Sequence, residues 1–150
     1  SDPDWAARVI NSVPKNVTLI QPTIPRASSA TTVASKRWGF RGLDFKHYVG
    51  AIDTLEGNFD LVVIDGRARE ACFDNALQRL APGGIILFDN TNRRRYQAAL
   101  ARHNAEITRE TSWGLTPILM WPSWTSIIRK NTGYAAKVSS RVSSASRAVA

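Results

Sequence analysis

The chain has 150 residues, 43% of them hydrophobic, a formal net charge of +8 and a single cysteine, Cys72. That length allows one domain with a real core, and the apolar fraction excludes a chain disordered throughout. No apolar run approaches the ~18 residues of a membrane span, no charged start leads into a signal core, and one cysteine excludes an intramolecular disulfide, so a reducing, cytoplasmic setting is expected.

Asp2-Pro3 opens the first predicted helix, with Asp2 as cap and Pro3 in the first turn. Trp5, Ala6, Val9, Ile10 and Val13 then recur at helical spacing. A turn at Pro14 to Asn16 leads to a short β-type run, Val17 to Ile20, ended by Pro22 and Pro25. Arg26 to Arg41 is rich in Ser, Thr, Ala and basic residues and reads as a long loop or flap. Its sequence Lys36-Arg37-Trp38-Gly39-Phe40-Arg41 interleaves aromatic and basic residues, a composition that can bind single strands. No recognised nucleic-acid motif surrounds it, so nucleic acid is not the expected partner. Tyr48 to Leu55 is a short predicted helix closed by Gly57.

The stretch from Phe59 to Asn90 carries most of the information. It reads FDLVVIDG, a helical segment, then LAPGGIILFDN. Each apolar run ends in an acid, Asp65 or Asp89, and the spacing suits a strand–helix–strand unit. Leu61 to Ile64 is continuously apolar, as in a strand covered on both faces. Cys72, Phe73, Ala76, Leu77 and Leu80 form one helical stripe, and Pro82-Gly83-Gly84 is the expected turn into the next strand. In open α/β sheets, ligands bind beyond the carboxyl ends of parallel strands, which puts Asp65 and Asp89 on one rim.

Asn92 can cap a helix running to about Asn104, with Tyr96, Ala99, Leu100 and His103 on one face. Two β-type segments follow, at about 105–111 and 125–129, with a Trp- and Pro-rich loop from Trp113 to Trp124 between them, its tryptophans expected to pack as core. Residues 131–150 lack a core face and read as a disordered tail after a domain spanning 1–130.

This order of motifs resembles the C-terminal part of a class I S-adenosylmethionine-dependent methyltransferase. The matching pieces are DPDW at 2–5, NVTLI at 16–20, FDLVVIDGRAR at 59–69, LAPGGIILFDN at 80–90 and WTSIIRK at 124–130. The resemblance implies an α/β, Rossmann-like sheet, mostly parallel with an antiparallel last strand. It also implies that the family's first strand, glycine-rich loop and ribose-binding acid lie before Ser1, since no GxGxG occurs in the chain.

The implied activity is methyl transfer from S-adenosylmethionine to a small-molecule acceptor, with oxygen as the methylated atom. Asp65 is the implied catalytic residue, and Asp65 with Gly66 the implied cofactor contact. Asp65, Asp89 and Asn90 resemble the Mg²⁺ site of catechol-type O-methyltransferases, a set of hard oxygen ligands; the alternative is that these residues cap turns. Arg67 and Arg69, with Asn90, are candidates to hold the acceptor, because guanidinium pairs with carboxylate in bidentate fashion; the alternative is a solvated helix start or a structural pair with Asp65.

Arg93-Arg94-Arg95 places three cations in a helix's first turn, against its dipole, and could trap an anion. The alternative function is therefore a non-catalytic methyltransferase-like module that binds an anionic partner through the basic loop and Arg93 to Arg95. A further alternative is a fragment that needs its missing N-terminal segment, or another chain, to complete the sheet.

Overall fold

The computed structural model describes residues 3–28, 33–35, 38–116 and 121–131. The expected cap Asp2 and the expected tail, apart from Asn131, lie outside them. The chain forms two compact units, Ser1–Glu56 and Gly57–Ala150. No helix among the described residues is long and apolar enough to cross a membrane.

The first unit begins with α1 (Pro3–Ile10) and continues irregularly to the basic loop. The strand expected at Val17 to Ile20 does not form; Val17 and Ile20 are exposed. A β-run gains stability only by pairing, and no described residue pairs with this one.

The loop after it is tied down around Asp44. The Asp44 carboxylate accepts bonds from the backbone N–H groups of Val33 and Lys46, each 3.0 Å. Isolated bridges join Arg26 to Leu43 and Ala34 to Asp44. Fully buried Phe45 meets Phe40 and, edge on, Tyr48. The expected helix over Tyr48 to Leu55 is two shorter turns, α2 (Lys46–Val49) and a 3₁₀ segment (Gly50–Thr54).

The second unit runs β1 (Phe59–Ile64), α3 (Arg69–Gln78), β2 (Leu80–Asp89), α4 (Arg94–Arg102), β3 (Ile107–Thr116) and β4 (Trp121–Lys130). Its sheet has the order β1-β2-β4-β3. The α/β class and the antiparallel last strand are as expected. The expectation of a mostly parallel sheet is not met: β1 and β2 are parallel, while β2–β4 and β3–β4 are antiparallel.

Phe73, Ala76 and Leu77 of α3 and Tyr96, Ala99 and Leu100 of α4 press on Ile64, Ile86, Phe88 and Ile128 of the sheet. This is the stripe the sequence spacing predicts, with Phe88 set between Phe73 (5.4 Å) and Tyr96 (5.3 Å). On the alternate positions of β1, Leu61 and Val63 are exposed. The continuous apolar run of β1 is thus buried on one face within this unit.

The Pro82-Gly83-Gly84 turn lies inside β2. The register jumps from Phe59–Leu80 to Leu61–Ile85, and the extra residues loop out with Gly83 at φ +81°. A Cβ on Gly84 would lie 2.8 Å from the Phe59 carbonyl oxygen, so the close pairing of β1 and β2 requires glycine there.

The expected Trp- and Pro-rich loop is instead the two arms of the β3–β4 hairpin, in which Trp113 and Trp124 stand opposite each other. Aromatic and β-branched residues favour such a ladder. Trp113 and Trp124 are exposed, 74% and 41%, rather than core.

Candidate functional site

Parallel pairing brings the ends of β1 and β2 together. Ile64 stands opposite Phe88, so the next residues, Asp65 and Asp89, leave the sheet side by side. Both strand ends turn through residues in the left-handed region, Ala68 at φ 47° and Asn90 at φ 58°. Asparagine tolerates that region; alanine pays roughly 1 kcal/mol or more for it. Ala68 caps α3 in this conformation, and its carbonyl receives the N–H groups of Ala71 and Cys72, each at 3.0 Å. The sharp turn makes Arg69 the first residue of α3 and aims its side chain back at the strand ends.

Arg69 is the centre of the site. Its side chain is only 8% exposed. Nη2 donates to the Asp65 carboxylate at 2.7 Å and to the Asp65 carbonyl at 3.1 Å. Nη1 donates to the Asp89 carbonyl at 2.9 Å and Asn90 Oδ1 at 3.2 Å, with the Asp89 carboxylate at 3.4 Å. Nε donates to the Gly66 carbonyl at 3.0 Å. A buried cation is tolerable only when paired and hydrogen-bonded this fully.

The remaining polar atoms are also engaged. Asp89 Oδ1 accepts from Thr125 Oγ1 at 2.9 Å, and Asn90 Nδ2 donates to Ser123 Oγ at 2.8 Å. Both partners come from β4, which runs antiparallel beside β2 with Thr125 opposite Asp89. Beneath them Thr91, Ser126 and Thr111 form a hydroxyl chain with 2.8 and 2.9 Å links, and the Thr91 N–H donates to the Trp124 carbonyl. Asp65 differs from the rest: although bonded to Arg69, its side chain is 66% exposed.

The three oxygen donors expected to take Mg²⁺ are therefore gathered as expected, but around a guanidinium. Their donor set does not fit a metal ion here, because Arg69 already takes one side-chain oxygen of each of the three residues and Thr125 takes the second oxygen of Asp89. No group of three or more His, Cys, Asp or Glu side chains suited to a metal occurs among the described residues. Arg69 likewise does not clamp an acceptor, since its N–H groups point inward. Arg67 is half-buried in the same turn, and its carbonyl accepts the Cys72 thiol at 3.4 Å.

The helix after β2 starts at Arg94 with Arg93 as its cap residue, not Asn92, whose side chain donates instead to the Pro122 carbonyl. Arg93 and Arg94 are exposed, while Arg95 is half-buried. The guanidinium carbons of Arg93 and Arg95 lie 5.9 and 4.7 Å from the centre of the buried Tyr96 ring. Arg95 Nη2 donates to the Tyr96 hydroxyl at 2.7 Å, and Glu70 is 3.9 Å from its Nε. Cation–π contact offsets the cost of placing these charges at a helix start.

Two further titratable side chains are structural. Burial pushes the Cys72 thiol up to about 11, with the Glu70 charge adding to the effect. His103, at the end of α4, lies edge on to Phe73 and contacts Asp74 and Glu106. Sequence reasoning missed Thr125 and Ser123, and Tyr96, whose ring centre lies 5.9 Å from the Arg69 guanidinium carbon, as partners of the rim. The signal for the first two was present: pairing a last antiparallel strand with β2 puts alternate residues of the Ser123–Ser126 run at the acids.

A family model described as "Methyltransferase domain" matches residues 4–91. Among solved structures, the chain is similar to the N-methyltransferase NodS from Bradyrhizobium japonicum WM9, in complex with S-adenosyl-L-homocysteine, at 19% identity and a TM-score of 0.37. The likeness covers 52% of this chain and 48% of that one, so the chain spans about half the length of the protein it matches. No curated protein matches.

Proposed function

The chain belongs to the methyltransferase-domain family, whose model spans residues 4–91, and from that premise we infer that it serves the transfer of a methyl group from S-adenosylmethionine to a small-molecule acceptor, at oxygen. The observation that carries this reading is the exposed carboxylate of Asp65, at the joined ends of parallel β1 and β2 and within the matched stretch. Ligands of open α/β sheets bind at that place.

Bound cofactor would supply an electrophilic methyl group. Asp65 and Gly66 are the residues proposed to face it. The Asp65 carboxylate, anchored through one oxygen by Arg69, would accept a hydrogen bond from the acceptor hydroxyl and hold it for in-line attack. Asn90 and Arg67 are proposed to border the acceptor. The rim, with Arg69 on its oxygen donors, is a positioning device. The single cysteine, Cys72, suits a reducing, cytoplasmic setting.

The test is calorimetric titration of the 150-residue chain with S-adenosylmethionine and, separately, with S-adenosylhomocysteine. Micromolar binding that Asp65→Ala weakens is expected. A folded chain, by circular dichroism, that takes up neither compound would refute the reading.

A further inference from the structure

We propose that Arg69 is the resident cation of the rim, holding the ends of β1 and β2 in the way a divalent metal ion would and excluding one. The proposal uses the rim assigned above to methyl transfer. Its test needs neither cofactor nor acceptor, so either idea can fail without the other.

The donor set makes the case. Two carboxylates, one amide oxygen and three backbone carbonyls converge on one point, from residues 65, 66, 89 and 90. Hard oxygens in that number are what Mg²⁺, Mn²⁺ or Ca²⁺ would select. The guanidinium fills the point with N···O distances of 2.7–3.4 Å. A metal ion would need the same lone pairs at about 2.0–2.6 Å. It would also have to sit against a positive charge that is 8% exposed and cannot lose its proton.

The outer contacts agree. Thr125 and Ser123 saturate the far atoms of Asp89 and Asn90, so neither side chain can rotate toward another ion without losing a bond. The planar fork matters as well as the charge. Nε, Nη1 and Nη2 each address a different strand end or turn, which a lysine ammonium could do only in part.

Arg69 is thus a positioning residue. It fixes Asp65 through one oxygen and leaves that side chain facing solvent. Its single charge stands opposite two carboxylates, so removing it leaves two acids and four neutral oxygens converging without a cation. That arrangement should recruit one.

The experiment is Mn²⁺ titration of the full 150-residue chain, read by the electron paramagnetic resonance signal of free Mn²⁺, with circular dichroism melting in parallel. The wild-type chain should show no stoichiometric site. Arg69→Met and Arg69→Gln should gain one, binding Mn²⁺ at least about tenfold more tightly than wild type, with a Kd near 10⁻⁴ M or below. Asp89→Asn in the Arg69→Met background should lose it, and Arg69→Lys, still cationic, should not gain it.

If both uncharged variants fail to fold without metal, refolding on added Mn²⁺ supports the proposal, and failure to refold overturns it. A one-to-one Mn²⁺ site in the wild-type chain that Asp89→Asn abolishes overturns it too. So does a folded Arg69→Met chain that ignores Mn²⁺.

Discussion

The sharpest stability test lies at the other end of α4. His103 bridges two carboxylates: Nε2 is 2.9 Å from Asp74 of α3, and Nδ1 is 2.5 Å from Glu106 before β3. Arg102 shares Asp74 at 2.8 Å. Burial alone would lower the imidazole pKa, but the hydrogen bonds to Glu106 and Asp74, and then their charges, outweigh it and raise the value above normal. A raised folded pKa means stability that is fully present below the unfolded value of about 6.5 and is lost as pH climbs through the folded value. Above it the neutral ring can donate to only one of the two carboxylates.

A charge-assisted bond contributes about 1.5–3 kcal/mol when dry, and an exposed pair about 0–1 kcal/mol. The imidazole is 17% exposed, but Asp74 and Glu106 are 41% and 30% exposed. Discounted for that screening, the two bonds together should contribute ~1–2 kcal/mol when the ring is protonated. His103→Gln should therefore melt well below wild type at pH ~5.5, with the gap closing by pH ~8.5; for a chain of 150 residues that is roughly 2–4 °C per kcal/mol. Urea unfolding at both pH values gives the free energies, and the ring proton shifts give the titration directly. A gap independent of pH over this range, or a ring titrating at or below the ordinary value, would refute the reasoning.

The other expectations come from separate parts of the structure. Gly84→Ala pushes a Cβ against the Phe59 carbonyl and should cost ~1–3 kcal/mol in urea unfolding, whereas Gly114→Ala meets nothing within 4 Å and should stay within about 0.5 kcal/mol of wild type. Cys72, with its thiol held at about 11, should react with iodoacetamide at pH ~8 roughly 100-fold more slowly in the native chain than in urea; equal rates would place the thiolate in solvent. If the methyl-transfer reading holds, labelled-methyl assays should show about a 10²-fold loss for Asp65→Asn. The same assays should show no loss after exhaustive chelation; a loss that Mg²⁺ reverses would count against Arg69 as the rim's cation.

Much of the second unit was legible because its elements are periodic and short in range. The acids at the ends of FDLVVID and GIILFD mark where parallel strands stop. The stripe of Cys72, Phe73, Ala76 and Leu77 fixes which side of α3 packs on the sheet, with Cys72 only half-buried; Leu80, expected to continue the stripe, is instead the buried first residue of β2. Misreadings arose where pairing decides conformation. Val17 to Ile20 has β composition but no ladder among the described residues, while Trp113 and Trp124 look like loop residues and gain a ladder from each other. Asn92 has the chemistry of a helix cap, yet its side chain is drawn to the Pro122 carbonyl across the hairpin, and Arg93 takes the cap position instead.

At the rim, the sequence named the acids and left a structural pair of arginine with Asp65 open, but did not extend it to Asp89 and Asn90. Asp65 and Arg69 are four residues apart in DGRAR, a spacing that allows the pair but does not say that the arginine is buried and turned inward. That depends on Ala68 adopting a left-handed conformation which alanine rarely takes. A subtler sign was available. Both α3 and α4 begin with arginine, where the helix dipole disfavours a cation. Such a charge is cheapest where it is exposed, as at Arg94, or where a partner outweighs the dipole. Arg69 has the carboxylates of Asp65 and Asp89, and Arg93 and Arg95 have the face of Tyr96. A cation in the first turn after a strand-end acid is thus informative because it is locally unfavourable: where it is not exposed, it implies a compensating site beside the strand ends. In the first of the two loops, that site is the one the acids were expected to offer to a metal.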